Sequence, residues 1–258
     1  MAGLSTFAEN EAFDHFFRNS AYTPAATVYL ALFSVIPNDD GTGGTELTGT
    51  GYARQAITFG AYSSRRIANS GTVTFTNSGA PAWPTAIGFG IYDASTAGNL
   101  LCTGTLSPQA TVAGLTSFGL LAGEVIIDYQ VHGPWLAEKV LDLLFRNTAA
   151  TPPAIVYGAL FTVAPSVDGS GGTESTGTGY TRKACTFAAL ASKRGYLTGN
   201  VEFTASAGSA WGALPAVAFY TAGSGGNFMC VATISPQPTV ASGAPFSLLA
   251  ASTYVGLD

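Results

Sequence analysis

Two stretches of the chain place apolar residues three and four positions apart, the spacing of a helix with one buried face. These positions are Phe13, Phe16 and Phe17 in the first stretch, and Leu136, Val140, Leu143 and Leu144 in the second. Thr6 and Glu9 have the spacing of a capping box, and Pro134 suits a first helical turn. Asn19 and Asn147 suit helix ends. We therefore predict two short amphipathic helices.

After each helix the pattern changes to alternation, or to short apolar runs rich in β-branched and aromatic residues, which is typical of strands. The longest runs span residues 27–33 and 155–161. Further strands predicted in the first half, most of them bounded by turn residues, span 52–59, 71–75, 87–92, 100–106, 116–121 and 125–129. Short strands at this regular spacing predict a β-sandwich or jelly-roll-like unit, with the helix over one sheet edge or end.

The whole pattern occurs twice, at an offset of 128 positions without a gap. For example, Phe17-Arg18-Asn19 returns as Phe145-Arg146-Asn147, and Trp83 returns as Trp211. A period this long suits a globular unit and is too long for a solenoid repeat. We therefore predict a mainly β chain of two tandem β-sandwich (jelly-roll-like) domains, residues 1–130 and 131–258, each with one short N-terminal amphipathic helix. A site inherited from the ancestral unit is expected in both copies.

Composition narrows the possible partners. Only 10% of the residues are charged, the net charge is −5 and the mean hydropathy is +0.30. Because nucleic acid requires a concentrated basic face, we expect no nucleic-acid partner. No apolar run reaches the roughly 18 residues that span a bilayer, so we expect no membrane partner and no signal peptide. Surfaces poor in charge are typical of subunits covered by neighbours, which favours a homo-oligomer.

The two glycine-rich loops, residues 39–46 and 168–174, are the segments most typical of a binding site. They lack the lysine and hydroxyl pair of a phosphate-binding loop. Calcium is the better candidate, because Asp40 and Glu46 recur as Asp168 and Glu174 and carry hard oxygen ligands. Two carboxylates for each loop are few for a dedicated calcium site, however. We therefore predict long hairpin loops without metal or cofactor.

The repeat also tests for catalysis. The two histidines, His15 and His132, align with Leu143 and Leu4, so neither recurs. This disfavours a Ser-His-Asp or Cys-His pair and a zinc site in the ancestral unit. Among the other acids, the pair Asp14 and Asp142 recurs on the helices, where a solvated face is expected. We predict no catalytic residues and no enzymatic activity.

Several basic and aromatic residues recur and are candidates for contacts between subunits. They are Arg54, Arg182, Trp83, Trp211, Arg65, Arg66, Lys193 and Arg194. Arginine near tyrosine can stack or bind in a bidentate manner, and tryptophan is a frequent interface anchor. Packing within each domain is the alternative for the arginines at positions 54 and 182 and for both tryptophans. The adjacent basic pairs are expected in exposed turns.

Several segments together resemble a family of small virion proteins of tailed bacteriophages, whose members are often called tail-fibre proteins. After a helix, these segments are residues 27–33, 44–46, 51–59, 89–94 and 98–101. The resemblance covers the first copy and, more loosely, the second. Phe89-Gly90-Ile91 becomes Val217-Ala218-Phe219 in the second copy, so the two copies need not bind the same partner. The resemblance supplies no catalytic residues.

From this resemblance we expect a non-enzymatic virion structural protein, made in the bacterial host cytoplasm, whose partners are other capsid or tail subunits. Three cysteines, an odd number, suit a reducing compartment. Capsid decoration, or cement, is the favoured role because compact domains lack the extended repeats of a fibre shaft. The alternatives are a tail or tail-fibre component, with receptor or glycan binding through aromatic loops, and an envelope hydrolase that uses Asp40 or Glu46.

Overall fold

A computed structural model of the chain describes residues 3–250 and 252–257. The first unit contains helix α1 (Thr6–Arg18) and strands β1 (Gly3–Leu4), β2 (Val28–Val35), β3 (Thr45–Glu46), β4 (Gln55–Ile57), β5 (Arg66–Ala68), β6 (Val73–Thr76), β7 (Ala86–Tyr92), β8 (Leu100–Ala110), β9 (Ser117–Leu120) and β10 (Ile126–Asp128). The second unit contains helix α2 (Pro134–Phe145) and strands β11 (Val156–Val163), β12 (Thr173–Glu174), β13 (Lys183–Cys185), β14 (Gly195–Tyr196), β15 (Val201–Thr204), β16 (Gly212–Ala213), β17 (Ala216–Tyr220), β18 (Phe228–Thr233), β19 (Thr239–Val240), β20 (Pro245–Leu248) and β21 (Tyr254–Val255). The chain is mainly β, as predicted.

Each unit is built around one antiparallel sheet. In the first unit the strand order is β1-β8-β7-β2-β3, and β4 also pairs with β2. In the second unit the order is β12-β11-β17-β18, with β13 on β11. The long apolar runs predicted to be buried strands form β2 and β11, and Leu30, Leu32 and Leu160 are completely buried. Burial on both faces is the physical reason that these runs do not alternate.

Two-stranded ribbons form the second layer of each sandwich. In the first unit they are β5–β10 and β6–β9, and in the second they include β14–β21 and β15–β20. Along β6, Val73 and Phe75 are buried whereas Thr74 and Thr76 are exposed, so the predicted alternation is confirmed. The apolar core lies between these ribbons and the main sheet.

Some predicted strand limits were wrong. The alternating segment 52–59 forms a strand only over Gln55–Ile57, because Tyr52 turns inward to hydrogen-bond with the backbone of Leu32. Strands β1, β3 and β5 have two or three residues each and were not predicted. Strands this short have no periodic pattern of their own and form because a neighbouring strand pairs with them.

The helices begin and end close to the predicted positions. Ser5, rather than Thr6, is the N-cap of α1, and its Oγ accepts a hydrogen bond from the Ala8 amide at 3.1 Å. Pro134 lies in the first turn of α2, as expected. Asn19 ends α1 in the left-handed conformation, and Asn147 has a φ of 48° just after α2.

The apolar face of each helix also packs on the opposite unit. Phe13 and Phe17 of α1 stack on each other and meet the ring of Phe187, with centroid distances of 5.9 and 5.5 Å. Reciprocally, Phe145 of α2 meets Phe59 at 5.9 Å. Phe59 and Phe187 are equivalent in the repeat, as are Phe17 and Phe145. These five phenylalanines define a reciprocal helix interface with the symmetry of an isologous dimer.

Each helix covers a sheet edge or end, as expected, and its contacts with the opposite unit were not predicted. Helix α1 does contact β8 of its own sheet, but it also packs against α2, and α2 packs on both β5 and β18. Phe13 lies over Gly195, where a β-carbon would be only 1.9 Å from Cζ of its ring. One continuous hydrophobic cluster therefore extends through both units.

Polar contacts also join the units. Lys193 forms ion pairs with Glu9 at 3.3 Å and with Asp39 at 3.0 Å. His15 Nε2 donates to the carbonyl of Ala150 at 2.8 Å. Because Glu9 is buried, its contact with Lys193 compensates the removal of its carboxylate from water.

Candidate functional site

The repeated arginine of the first unit lies in a network of side chains beside the glycine-rich loop. Arg54 Nε and Nη2 donate to the carboxylate of Glu46 at 2.8–3.2 Å, and its guanidinium carbon lies 3.6 Å from the centre of the Tyr92 ring. Nη1 donates to the carbonyls of Ala94 and Ala97. The arginine therefore joins the glycine-rich loop to the loop between β7 and β8.

The same network is present in the second unit. Arg182 donates to Glu174 at 2.7–2.9 Å, lies 3.6 Å from the Tyr220 ring centre, and donates to the carbonyls of Ala222 and Gly225. Its side chain is only 10% exposed. Both arginines are thus engaged within their own unit, which is the packing alternative that the sequence left open.

A tyrosine completes each network. The Tyr52 hydroxyl donates to Glu46 at 3.0 Å and accepts from the Leu32 amide at the same distance. The Tyr180 hydroxyl donates to Glu174 at 2.9 Å and accepts from the Leu160 amide. Burial raises the pKa of both phenols, so each remains a hydrogen-bond donor at neutral pH. The network fixes the central strand to the glycine-rich loop.

The remaining acids of the glycine-rich loops stabilise turns. Asp40 Oδ1 accepts hydrogen bonds from the Thr42 amide and hydroxyl at 2.9 and 2.7 Å, and Asp168 accepts the same pair from Ser170. These hydrogen bonds lower the pKa of both aspartates. Glu46 faces Arg54, away from these turns. Within residues 3–250 and 252–257, no three histidine, cysteine or acidic side chains are grouped as metal ligands would be.

The Glu174 network predicts a specific loss of stability in acid. Burial raises the pKa of Glu174, but hydrogen bonds from Arg182 and Tyr180 and the charge of Arg182 outweigh it, so the folded-state pKa lies below 4.5. The stabilisation is therefore complete above the unfolded-state pKa and is lost as pH falls through the folded-state value. We expect unfolding free energies measured in urea between pH 7 and 3 to fall less steeply for Glu174→Gln than for the wild type.

Glu138 provides the matched control for this pH series, because its side chain is 40% exposed and its ion pair is with the adjacent Lys139. Glu138→Gln is expected to keep the wild-type slope. If Glu174→Gln and the wild type lost stability in parallel, the proposed contribution of the Glu174 ion pair would be refuted.

The histidines have structural positions. His15 is 3% exposed, with Nε2 donating to Ala150 and Nδ1 accepting from the Tyr22 amide at 3.2 Å, so both ring nitrogens are used by the backbone. His132 is buried and stacks on Tyr129. His132 lines the same surface pocket as Cys230, which recurs as Cys102, but burial raises the pKa of that thiol and keeps it protonated at neutral pH.

The cysteines are buried free thiols at positions 102, 185 and 230. Burial raises the pKa of all three, to about 12 for Cys185. A thiol protonated at neutral pH is a weak nucleophile and a weak metal ligand, so these residues act as small apolar side chains.

The tryptophans predicted as interface anchors are internal in this single chain. Trp83 and Trp211 are 3% and 4% exposed, and each packs edge-on against the tyrosine of its own network. Each indole also covers a glycine, Gly49 or Gly177, where a β-carbon would lie within 2.4 Å of the ring. The packing alternative describes both residues.

The adjacent basic pairs lie at equivalent tight turns, as predicted, and Arg65 and Lys193 have positive φ values of 62° and 64°. Their contacts differ. Arg65 donates to the carbonyl of Gln130, Arg66 pairs with Asp128, and Arg194 lies over the ring of Tyr254. Lys193 meets acids of the first unit, so of these four residues it supports the contact between units most directly.

A repeated set of exposed apolar side chains was not predicted. Three equivalent pairs have both members at least 37% exposed, and they are Val35 with Val163, Leu121 with Leu249, and Ile126 with Tyr254. A comparison of the two copies at apolar positions near the ends of the predicted strands is the sequence signal that reveals these pairs. Exposed apolar residues retained in both copies are candidates for contacts with neighbouring subunits.

Comparison with protein families identifies the chain. The family model described as Podophage GP4 fiber I protein gp80 matches residues 3–128 and again residues 133–256. The chain belongs to this family. The gp80 fibre family thus accounts for both units, and the resemblance to phage virion proteins stated from the sequence is confirmed. None of the curated proteins matches the chain.

Membership of the gp80 fibre family makes the chain a fibre-type virion protein of a bacteriophage. The family description does not support the capsid decoration role favoured from the sequence, and it agrees with the tail-fibre alternative. Neither of the two helices in the described part of the chain has the length and apolar character needed to cross a membrane.

Proposed function

We propose that this chain is a non-enzymatic structural component of a phage tail fibre or of its attachment site, made in the host cytoplasm and assembled with other tail proteins. The observation that carries the proposal is the match of both units to a podophage fibre family. We propose no role in capsid decoration, because the family description names a fibre protein.

The use of the repeated polar residues supports a structural role. In both networks the arginine pairs with the glutamate and donates to backbone carbonyls, and the tyrosine hydroxyl donates to the same glutamate. The charges of these side chains are therefore neutralised within the fold. Apolar side chains also recur at the surface, at positions such as Leu121 and Leu249. Such a surface suits contacts with protein neighbours, including further copies of this chain, better than contacts with nucleic acid, membrane or a polar substrate.

The position in the particle is tested by labelling. A virion that carries an affinity tag on this chain is bound to gold particles and imaged, and the copy number is measured by quantitative mass spectrometry of purified particles. We expect label at the tail and roughly six or twelve copies, as in a closed ring around the tail axis. Label spread over the capsid, with copies on the order of hundreds, would restore the decoration role and reject this proposal.

A further inference from the structure

The second unit has a surface pocket at a place that the first unit fills. The pocket has a volume of about 510 Å³ and lies between β18 and the segment around β20. Its floor includes Val217 and Ala232, a cross-strand pair. The equivalent pair in the first unit is Phe89 and Gly104, and the Phe89 ring lies 2.5 Å from where a β-carbon of Gly104 would be. Replacing phenylalanine by valine therefore leaves space in the second unit.

The chemistry of this pocket suits an uncharged apolar group. Its lining contains no charged side chain, and the apolar members include Ile234, Phe246 and Leu248. Serine and threonine residues supply its polar atoms. Tyr254 and Leu249 at its edge are 38% and 50% exposed, so the pocket is continuous with an exposed apolar surface.

The first unit has an exposed apolar residue that the second unit lacks. Leu115 is 73% exposed, more than any other large hydrophobic residue in the described part of the chain. Its φ of 59° is in the left-handed region, which disfavours a branched side chain. The equivalent residue is Gly243, with a φ of 72°, the residue type that this backbone favours. A leucine this exposed, on a backbone that favours glycine, contributes little to packing within the chain, which points to a contact outside it.

Leu115 lies at the tip of a turn at residues 114–115, and the backbone there is joined to the segment around Gly79. The Leu115 amide donates to the carbonyl of Gly79 at 2.9 Å. Gly114 lies so close to Ala80 that a β-carbon would be 1.7 Å from its carbonyl oxygen. Because the residues around Leu115 are small and uncharged, the tip can enter a pocket together with the leucine side chain.

We infer that Leu115 of one copy of this chain inserts into the second-unit pocket of a neighbouring copy. The two differences between the units are complementary. The first unit has the projecting Leu115, and Phe89 fills its equivalent of the pocket. The second unit has the open pocket, and Gly243 takes the place of the leucine. Such a contact is heterologous, so successive copies add head to tail until a ring closes or a filament grows. The inference rests on the proposed assembly of this protein with copies of itself.

Sedimentation velocity of the full chain over a concentration series tests this contact. Leu115→Gly removes the side chain and supplies the residue that the backbone favours. The double variant Val217→Phe with Ala232→Gly fills the pocket with the pair found in the first unit. We expect the wild type to associate and each variant to weaken association by roughly tenfold to a hundredfold, the effect of one large apolar side chain. Ile155→Thr, which supplies the residue of the first unit at an exposed position outside the contact, is expected to associate like the wild type.

Mixing the two variants separates this geometry from other interfaces. The pocket variant retains Leu115 and the leucine variant retains the pocket, so an equimolar mixture is expected to form pairs and no larger species. A wild type that stays monomeric at every concentration, or association unchanged in both variants, would overturn the inference. The inference would also be overturned if the wild type were monomeric and the pocket-filling variant were no longer incorporated into particles. That result would mean that another virion protein occupies the pocket. The labelling experiment reports location independently of this result.

Discussion

Phe13→Ala is expected to lower the free energy of unfolding of the whole chain by about 3–5 kcal/mol, the range for a large aromatic side chain removed from a core. Phe13 is completely buried, stacks on Phe17 at 4.8 Å and fills the space over Gly195 in the opposite unit. Its removal opens a cavity that the backbone of Gly195 cannot fill. Urea unfolding followed by circular dichroism and tryptophan fluorescence measures the loss.

Phe7 on the same helix is the matched control. It is only partly buried and packs edge-on against Tyr22, with ring centroids 6.5 Å apart, at the margin of the core. Phe7→Ala is expected to have a clearly smaller effect. A loss below about 1 kcal/mol for Phe13→Ala, within the range of surface substitutions and small adjustments, would show that the reciprocal helix interface contributes little to stability.

Arg54→Met is expected to destabilise the chain by about 3 kcal/mol, at the lower end of the range for removing one partner of a buried ion pair. The lower end applies because Glu46 keeps 26% of its side chain exposed, whereas Arg54 keeps only 11%. The substitution also leaves the carbonyls of Ala94 and Ala97 without their donor. Equilibrium urea unfolding at pH 7 measures the loss, and Arg182→Met is expected to behave in the same way.

Two further variants test the origin of the Arg54 effect. Arg66→Met removes an ion pair with Asp128 in which the arginine is 51% exposed, and we expect less than about 1 kcal/mol. Glu46→Gln in the Arg54→Met background removes the uncompensated charge and is expected to recover part of the stability. Equal losses for Arg54→Met and Arg66→Met would mean that burial of the network has no energetic consequence.

Periodicity predicted the long elements because those elements bury one face or both faces by themselves. The runs that became β2 and β11 and the helix that became α1 all have patterns that depend only on local spacing. Strands such as β3 and β5 have two or three residues and depend on partners distant in sequence, so no local pattern marks them. The capping residue was misplaced by one position because Ser5 and Thr6 are both suitable caps by composition.

The contacts of each helix with the opposite unit could not be predicted from the repeat, since the same apolar faces satisfy contacts within a unit or between units. One sequence signal for it does exist. Phe13 faces Gly195, whereas the equivalent residues Leu141 and Ile67 are of intermediate size and are both buried, with α2 packed on β5. At one of the two equivalent positions a large residue is paired with glycine, and at the other position both residues are of medium size. Such compensating sizes are expected where two side chains share the same space in a packed contact.

The candidate site was predicted in part. Recurrence selected Arg54 and Arg182 and separated them from the unrepeated histidines, but it did not show that both arginines face inward. Their partners, Glu46 and Glu174, were considered as calcium ligands because the sequence does not reveal that an arginine eight positions later reaches each carboxylate. The divergent pair of Phe89 and Val217 was noted, and only the three-dimensional packing shows that it creates a pocket.

Differential scanning calorimetry of the intact chain tests most directly whether the duplicated units form one structural body through the hydrophobic cluster that they share. We predict a single transition whose calorimetric and van't Hoff enthalpies agree, with an enthalpy on the order of 180 kcal/mol near 60 °C for a chain of this length. Two separate transitions, each with roughly half of that enthalpy, would contradict the prediction and would make the units independent domains.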